Sequence, residues 1–247
     1  MQQEVAHFPH LAIFSLNEQV VTVEFGNAIS DSCMQEVGRL HRLLHQTPFP
    51  GFLDTVPAYA TLSVFFDPAA VIASGELKGN NSFERVASFV RKLHSSGQQP
   101  ATAETTVVNM PICYGGKYGP DLEELAQLHQ LSPDELVRLH CNATYRVAMI
   151  GFVPGFAYLA GMDVALETPR KQVPRQVVPA GSVGIAGRQT GIYPLETPGG
   201  WQLVGRTPLG MFNAAKPQPS LLKMGDTIRF QPISSLEFEK IYADKDH

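Results

Sequence analysis

The feature that most constrains this chain is the density of glycine and proline turns in its second half. Residues 151–206 contain 10 of the 21 glycines and the only tryptophan of the 247 residues. After Thr144 the apolar runs are short and lie between Gly and Pro turns, and no long run with helical spacing returns. This pattern is typical of a β-rich barrel or sandwich. After a β-like run at residues 105–114, the predicted strands are residues 145–150, 176–178, 183–185, 202–204 and 227–230.

The first hundred residues show a different pattern, in which strand-like and helix-like pieces alternate. Ser30 or Asp31 can cap a helix that runs to His45, and a second helix is predicted from Ser82 to Leu93. The resulting order ββαββα predicts an antiparallel sheet with helices on one face. The predicted strands are residues 10–16, 20–25, 52–56 and 59–66.

A small, polar stretch at residues 95–103 is the best linker candidate between these two patterns. Beyond it, Asp121 opens one predicted helix, and Ser132 opens another with Glu135 as the second member of a capping box. We therefore expect an N-terminal α+β domain at residues 1–100, followed by a mainly-β domain at residues 101–240.

The composition excludes several classes of protein. A formal charge of −4 and a pI near 6.1 argue against a general nucleic-acid binder. No run of about 18 apolar residues is present to span a membrane, and residues 1–10 lack the basic start and apolar core of a signal peptide. The three cysteines are widely spaced without a CxxC pair, which favours a reducing compartment. We expect a cytoplasmic protein that binds neither nucleic acid nor membrane.

Positive charge is concentrated in the turn-rich half, although the chain as a whole is acidic. Between residues 141 and 206, six basic side chains stand against Asp163, Glu167 and Glu196. Fixed turns can hold cations close together despite their repulsion, as a pocket for an anionic or phosphorylated ligand requires. The basic residues are Arg146, Arg170, Lys171, Arg175, Arg188 and Arg206.

Arg170 and Arg175 each follow a proline, which stiffens the backbone from which the side chain starts. Five residues apart on an extended chain, the two tend to face opposite ways unless a turn intervenes. We therefore expect one arginine to bind an anion while the other pairs with Glu167 or Glu196. The guanidinium group suits carboxylates and phosphates because it can donate two parallel hydrogen bonds.

Three other motifs allow more than one interpretation. Ser182 lies in a near match to the GxSxG nucleophile elbow, but no helix is predicted after it, so a hydrogen-bonding role beside glycine N–H groups is favoured. His140 is either a general acid or base, or a histidine at a helix end that meets the helix dipole. His41 and His45 lack the glutamate of an HExxH motif, and a solvated helix face is favoured there. No metal site is predicted.

Aromatic residues lie among the glycines of the turn-rich half rather than in a regular stripe. Buried packing is the default interpretation of each. The turn at residues 197–202, however, combines an indole, an amide and exposed backbone, which together can line a site for a flat amide or a nucleotide base. The candidate residues are Phe152, Phe156, Tyr158, Tyr193, Trp201 and Gln202.

The spaced motifs of this half resemble a known family. They read GFxPGFAYLxGM and PRxxxPRxxVPAGSVGIAGxQTGIYPxxTPGGWQLxGRTP, preceded by PICYGG and GPDL. The string resembles the B-type subunit of the ATP-dependent bacterial 5-oxoprolinase, a family also labelled allophanate hydrolase subunit 1, which includes the Kip-type inhibitor of a sporulation histidine kinase. The resemblance is dense from about Thr106 to Phe230, whereas the first hundred residues match in layout more than in sequence.

The resemblance implies an N-terminal α+β domain and a cyclophilin-like β-barrel, without implying prolyl isomerase activity. It implies a hydrolase complex in which a homologous barrel protein, the C-type subunit, is the partner and an A-type subunit handles 5-oxoproline. The implied reaction opens the lactam of 5-oxoproline to L-glutamate at the expense of ATP, with Mg. Because the chain has no Walker motif, we expect the nucleotide site to be shared with these partners and this chain to be inactive alone.

We assign roles to the residues at the motif positions as follows. Arg170, Arg175 and Arg206 bind anionic groups around the spreading phosphoryl charge. His140 transfers a proton, and Ser182 and Gln189 donate or accept orienting hydrogen bonds. The expected wall of the small-molecule site consists of Phe152, Phe156, Tyr193, Trp201 and Gln202.

Two alternative functions remain open at this stage. A Kip-type regulatory protein would bind a sensor histidine kinase and would carry the same pocket motif. A component of a urea or allophanate pathway is also consistent with the family, because fused relatives form the carboxyl-transferring part of urea carboxylase.

Overall fold

The computed structural model describes residues 11–28, 30–99 and 106–244. The chain divides into two compact units, Met1–Glu104 and Thr105–His247. Three predicted features lie at least partly outside the described residues. They are the start of the first predicted strand at His10, residues 1–10 with respect to a signal peptide, and the end of the predicted linker.

The N-terminal unit is a four-stranded antiparallel sheet with helices. The strands lie in the order β1-β2-β4-β3, and the cap predicted from the sequence is present: the Ser30 hydroxyl accepts a hydrogen bond from the backbone N–H of Cys33 at 3.2 Å. A short helix, α2, was not predicted and is capped by Asp67. The elements are β1 Ala12–Asn17, β2 Val20–Glu24, α1 Asp31–Gln46, β3 Phe52–Pro57, β4 Thr61–Phe66, α2 Pro68–Ser74 and α3 Ser82–Ser95.

The C-terminal unit is a closed seven-stranded barrel with a two-stranded ribbon. The barrel order is β10-β7-β6-β13-β5-β12-β9, and β11 pairs with β8 in the ribbon. The predicted fold class, an α+β domain followed by a mainly-β barrel, is confirmed. The elements are β5 Val107–Tyr114, α4 Leu122–Leu128, α5 Pro133–Asn142, β6 Tyr145–Ile150, β7 Ala157–Ala160, a 3₁₀ turn Val164–Leu166, β8 Arg175–Val178, β9 Ser182–Ala186, β10 Gln189–Ile192, β11 Thr197–Gly199, β12 Gln202–Arg206, β13 Thr227–Pro232 and α6 Ser235–Ala243.

The barrel wall separates two apolar clusters. The larger cluster contains side chains from all seven barrel strands, such as Met110, Val147 and Phe230, and therefore fills the barrel interior. The smaller cluster involves only one side of the wall and the ribbon, and it contains Ala186 and Leu203. Side chains of neighbouring strand residues point to opposite faces of a sheet, so we call the side that carries the smaller cluster the outer face.

Among the described residues, no helix is both long enough and apolar enough to cross a bilayer.

Candidate functional site

Five aromatic residues form the centre of the outer face. The Phe156 ring is the hub, with centroids 4.6 Å from Tyr158, 5.0 Å from Tyr193 and 5.4 Å from Trp201. These pairs are tilted or edge-on, the arrangement that aromatic quadrupoles favour. Phe156, Tyr193 and Trp201 are buried, so they form a rigid floor, and Phe152 extends it to the surface with its centroid 5.6 Å from Phe156.

Glycines in the barrel wall make room for this floor. A Cβ atom at Gly191 would lie 2.9 Å from Trp201 Cζ3 and 3.0 Å from Phe156 Cε1. A Cβ atom at Gly184 would lie 2.9 Å from Trp201 Cβ. Since real Cβ atoms do not approach this closely, Trp201 and Phe156 can pack against β9 and β10 in these positions only because residues 184 and 191 are glycine.

Phe152 is held in an unfavourable backbone conformation. Its φ is +69°, and the Val153 backbone N–H donates to the Gly151 carbonyl at 2.9 Å across it. A bond between residues two apart around a positive φ defines a γ-turn of the rare, strained kind. The Phe152 side chain is nevertheless 62% exposed. Strain retained at an exposed aromatic side chain is typical of ligand-binding positions.

Arg170 lies over the aromatic floor. Its guanidinium carbon is 6.0 Å from the centroid of the Trp201 ring, within reach of a cation–π interaction. Burial raises the pKa of Tyr158, and the positive charge of Arg170 opposes that rise. Among the described residues Arg170 forms no ion pair, and its side chain is exposed. It is therefore available to an anionic ligand at the edge of the floor.

Arg175 has a protein partner that the sequence did not indicate. Its Nη2 donates to Oδ1 of Asp121 at 2.6 Å, and Lys171 Nζ lies 2.9 Å from the same oxygen. We expected Glu167 or Glu196 as the partner of one arginine; instead, Glu167 lies 3.8 Å from Arg188. Arg170 contacts an aromatic ring and Arg175 a carboxylate; that one of them binds an anion stays a prediction.

Asp121 is almost completely buried beneath these cations, with a side chain only 3% exposed. Burial alone would raise the pKa of Asp121, but hydrogen bonds from Arg175, Lys171 and the Leu203 backbone N–H bring it below its usual value. The carboxylate is therefore ionised at neutral pH. Its recognition from sequence would have required knowledge of a contact across 54 residues; the only local indication was its place in the GPDL motif.

Gln202 is the first residue of β12 and directly follows Trp201. Its amide nitrogen donates to the carbonyl of Pro169 at 3.2 Å, which attaches the arginine-bearing segment to the barrel. The Gln202 Oε1 and Arg175 Nη1 atoms are buried and have no hydrogen-bond partner among the residues that the structure describes. This region thus retains one unused donor and one unused acceptor beside the aromatic floor.

Arg206 is located away from the other two predicted arginines. It ends β12, whereas Gln202 begins it, a separation of about 13 Å along the strand. Its Nε donates to the Ala180 carbonyl at 2.7 Å, and its guanidinium lies 5.8 Å from the rings of Phe238 and Tyr242 in α6. The side chain holds α6 against the barrel in this structure.

Ser182 and Gln189 lie at opposite ends of the β9–β10 hairpin. Ser182 is buried and pairs with Arg206, whereas Gln189 pairs with Ala186 at the hairpin turn. Residue 182 begins a strand rather than preceding a helix, so the structure contains no nucleophile elbow there. The two predicted orienting residues therefore do not converge on one point.

His140 is inside the barrel rather than on the outer face. Thr190 Oγ1 donates to the Gly184 carbonyl at 3.0 Å and so accepts from His140 Nε2 at 3.1 Å. The other ring nitrogen, Nδ1, then accepts from the Tyr114 hydroxyl at 2.8 Å. The ring also stacks on Phe230 at 4.7 Å. Complete burial lowers the pKa of His140 to about 3, which keeps the imidazole neutral.

His41 and His45 form the expected solvated face only in part, because His45 is exposed whereas His41 is half-buried. Both rings contact one hydroxyl, Thr55 Oγ1, at 2.6 Å and 3.1 Å, respectively. Burial, with a further contribution from His45, lowers the pKa of His41 to about 4. Within residues 11–28, 30–99 and 106–244, no group of three or more His, Cys, Asp or Glu side chains could hold a metal ion.

Comparison with known proteins agrees with this architecture. The family described as "Carboxyltransferase domain, subdomain C and D" matches residues 11–222. A protein of Bacillus subtilis (strain 168) that is named as the B-type subunit of 5-oxoprolinase is 41% identical over 226 residues, which cover 92% of this chain and 94% of that protein. The chain belongs to the carboxyltransferase-domain family and, within it, to the relatives of the B-type 5-oxoprolinase subunit. The resemblance inferred from the spaced motifs is thereby confirmed.

Two solved structures contain a similar fold within larger chains. The crystal structure of a protein designated TTHA0988 has a TM-score of 0.74 and 35% identity, covering 88% of this chain and 40% of that one. This chain therefore spans about two fifths of that protein's length. The Kluyveromyces lactis urea amidolyase has a TM-score of 0.76 at 18% identity, over 96% of this chain and 16% of that one. At that identity the likeness is one of fold alone.

Proposed function

We propose that this chain is the B-type subunit of an ATP-dependent 5-oxoprolinase, which opens 5-oxoproline to L-glutamate together with a homologous barrel partner of the C type and an A-type subunit. The observation that carries the proposal is the exposed guanidinium of Arg170 over a rigid aromatic floor. A planar lactam that bears a carboxylate presents one flat face and one negative charge, and this surface offers a partner for each. Family membership supports the same function over the kinase-inhibitor and urea-pathway alternatives.

The chemistry requires binding and orientation rather than a protein nucleophile. A lactam resists hydrolysis because of amide resonance, and ATP supplies the phosphoryl group that converts the lactam oxygen into a leaving group. In this chain, Arg170 would neutralise negative charge, and the exposed ring of Phe152, supported by the buried Tyr193 and Trp201, would contact the flat amide. The unused Arg175 Nη1 donor suits an anion, so the residues present fit a phosphate or carboxylate.

The roles first assigned to four residues change in this proposal. His140 organises the barrel interior, because a buried neutral imidazole cannot reach the outer face. Arg206 and Ser182 hold the far end of β12 and β9, and Gln189 stabilises a hairpin turn. The anionic site of this chain is thus reduced to Arg170 and Arg175 with the aromatic floor and Gln202.

The proposed complex supplies what this chain lacks. The ATP and the Mg²⁺ that accompanies it are proposed to be shared with the partner proteins. The chain alone is proposed to be inactive. The free thiols of Cys33, Cys113 and Cys141 suit a cytoplasmic location.

Reconstitution tests this function. The chain is co-purified with the C-type and A-type proteins from its own source, and ATP hydrolysis is measured with 5-oxoproline, urea or allophanate as the second substrate. We expect only 5-oxoproline to stimulate ATP hydrolysis, and we expect Arg170→Ala to lower that stimulation at least about tenfold. Stimulation by urea or allophanate alone, or full activity of the Arg170→Ala complex, would contradict the proposal.

A further inference from the structure

Asp121 occupies the N-cap position of α4, yet its side chain makes no capping hydrogen bond. An aspartate at this position normally accepts a hydrogen bond from the first helical turn, which is worth about 1 kcal/mol. Here both carboxylate oxygens are directed elsewhere. Oδ1 accepts from Arg175, and Oδ2 accepts from the Leu203 backbone N–H at 2.7 Å. The residue lacks the local capping bond and instead has three distant partners, Arg175, Lys171 and Leu203.

The segment that Asp121 contacts is residues 169–175, which we call the strap. The strap is attached to the end of β11 and the residue after it by main-chain contacts: the Lys171 N–H donates to the Gly200 carbonyl at 2.7 Å, and Arg175 pairs with Gly199 in β11. Residues 172–174 between these attachments are exposed. Since Arg170 belongs to the strap, its position over Trp201 depends on where the strap lies.

Asp121 adds an electrostatic attachment of the strap to these main-chain contacts. Lys171 and Arg175 share its Oδ1, and without Asp121 the two cations would face each other with little compensation. The other partner of Lys171, Glu124, is 75% exposed and 3.4 Å away, so solvent screens its contribution. The buried carboxylate is therefore the group that holds two strap cations in place.

We propose that Asp121 is a positioning residue of the outer-face site: it fixes the strap against the barrel and thereby holds Arg170 over Trp201. The proposal rests on the proposed function for the ligand that Arg170 binds. It predicts that loss of the Asp121 charge displaces Arg170 even in the absence of substrate.

The single tryptophan of the chain makes this displacement measurable. In the isolated full-length chain, the Arg170→Ala variant provides the reference emission spectrum of Trp201 without the nearby guanidinium group. We expect Asp121→Asn to move the emission spectrum of Trp201 from that of the wild type towards that of Arg170→Ala. The matched control is Glu124→Gln, which removes the exposed partner of Lys171 and should leave the spectrum unchanged. If Asp121→Asn folds with a wild-type spectrum, the proposal is overturned.

A second variant keeps the proposal testable if Asp121→Asn does not fold. Lys171→Met removes one strap cation without leaving the buried carboxylate unpaired, because Arg175 remains. We expect a smaller change of Trp201 emission in the same direction. An unchanged spectrum in Lys171→Met would then overturn the proposal.

Steady-state kinetics of the reconstituted complex distinguish positioning from general destabilisation. We expect Asp121→Asn to raise the KM for ATP or for 5-oxoproline about tenfold, with a smaller change in kcat. An unchanged KM for both substrates in a variant whose emission has moved would refute the positioning role. If the wild-type complex has no activity towards 5-oxoproline, the proposed function fails, but the emission measurements still decide the role of Asp121.

Discussion

Arg170 and Arg175 are five residues apart and each follows a proline, yet their loss should have different effects. Arg175 neutralises a buried carboxylate at 2.6 Å, whereas Arg170 is exposed and contacts the face of an indole. We therefore expect the loss of Arg175 to affect stability as well as the anionic site, and the loss of Arg170 to affect ligand binding with little change in stability.

We expect Arg175→Ala to lower the free energy of unfolding by about 2 kcal/mol, because Asp121 then keeps only Lys171 as a side-chain partner. Arg170→Ala should lower it by less than about 0.5 kcal/mol, as exposed substitutions usually do. Urea unfolding followed by far-UV circular dichroism measures both. Equal losses in the two variants would show that the Asp121 pair does not carry this stability.

Phe152 offers a test of backbone strain at a single residue. Because its φ is +69°, a residue with a Cβ atom is strained there, whereas glycine is not. We expect Phe152→Gly to be more stable than Phe152→Ala by about 1 kcal/mol, the reverse of the usual order in regular structure. Thermal unfolding of the two variants measures the difference. A more stable alanine variant would argue against a strained turn.

At the scale of elements, β9 and β10 act as the platform for the aromatic floor. We expect Gly191→Ala to lower stability by about 2 kcal/mol and to change Trp201 emission, because the new methyl group overlaps the Trp201 and Phe156 rings. Gly200→Ala is the control, since its Cβ would meet no atom closer than 3.6 Å. The comparison uses thermal unfolding and fluorescence; similar losses in both variants would count against this explanation.

Elements with strong local patterns were predictable from the sequence. The run at residues 183–185 lies in β9, and the capping box of Ser132 and Glu135 begins α5 as predicted. The strand β7 was missed because it has only four residues, AYLA, two of which are alanines without a strong strand preference. The short strands β10 and β11 were missed as well, because glycine and proline interrupt them.

The candidate site was less predictable than the fold. The aromatic residues and Arg170 could be selected by their unusual surroundings, but the contact of Asp121 with Arg175 spans 54 residues and leaves no local pattern. Counting charges also grouped Arg206 with Arg170 and Arg175, although Arg206 ends β12 and the segment that carries the other two contacts the start of that strand. A sequence shows which side chains are present in a strand but not which end of the barrel they reach.

At the scale of the whole molecule, buried histidines make stability depend on pH. Burial lowers the pKa of His140 to about 3, whereas its ordinary value is 6.5. Between these values the unfolded chain binds a proton that the folded barrel does not, so stability falls as the pH decreases below 6.5. His41, with a pKa of about 4, adds a dependence of the same sign in the N-terminal unit.

We therefore expect the free energy of unfolding of the barrel to fall by up to about 1.4 kcal/mol per pH unit below pH 6 because of His140. The His140→Gln variant should be less stable than the wild type at pH 7, but its free energy of unfolding should fall less steeply as the pH decreases. Urea unfolding followed by Trp201 fluorescence at a series of pH values measures both slopes. Parallel slopes would mean that His140 can accept a proton in the folded barrel.

The two-sided wall of β9 and β10 has a consequence for how this protein can diversify. In β9, Val183 and Ile185 belong to the interior, whereas their neighbours Gly184 and Ala186 lie beneath the aromatic rings. Mutations on one side can thus accumulate without forcing compensating changes on the other. Insertion or deletion of one residue, in contrast, would exchange the two sets at once, so we expect drift in this family to proceed by substitution and to leave strand lengths unaltered.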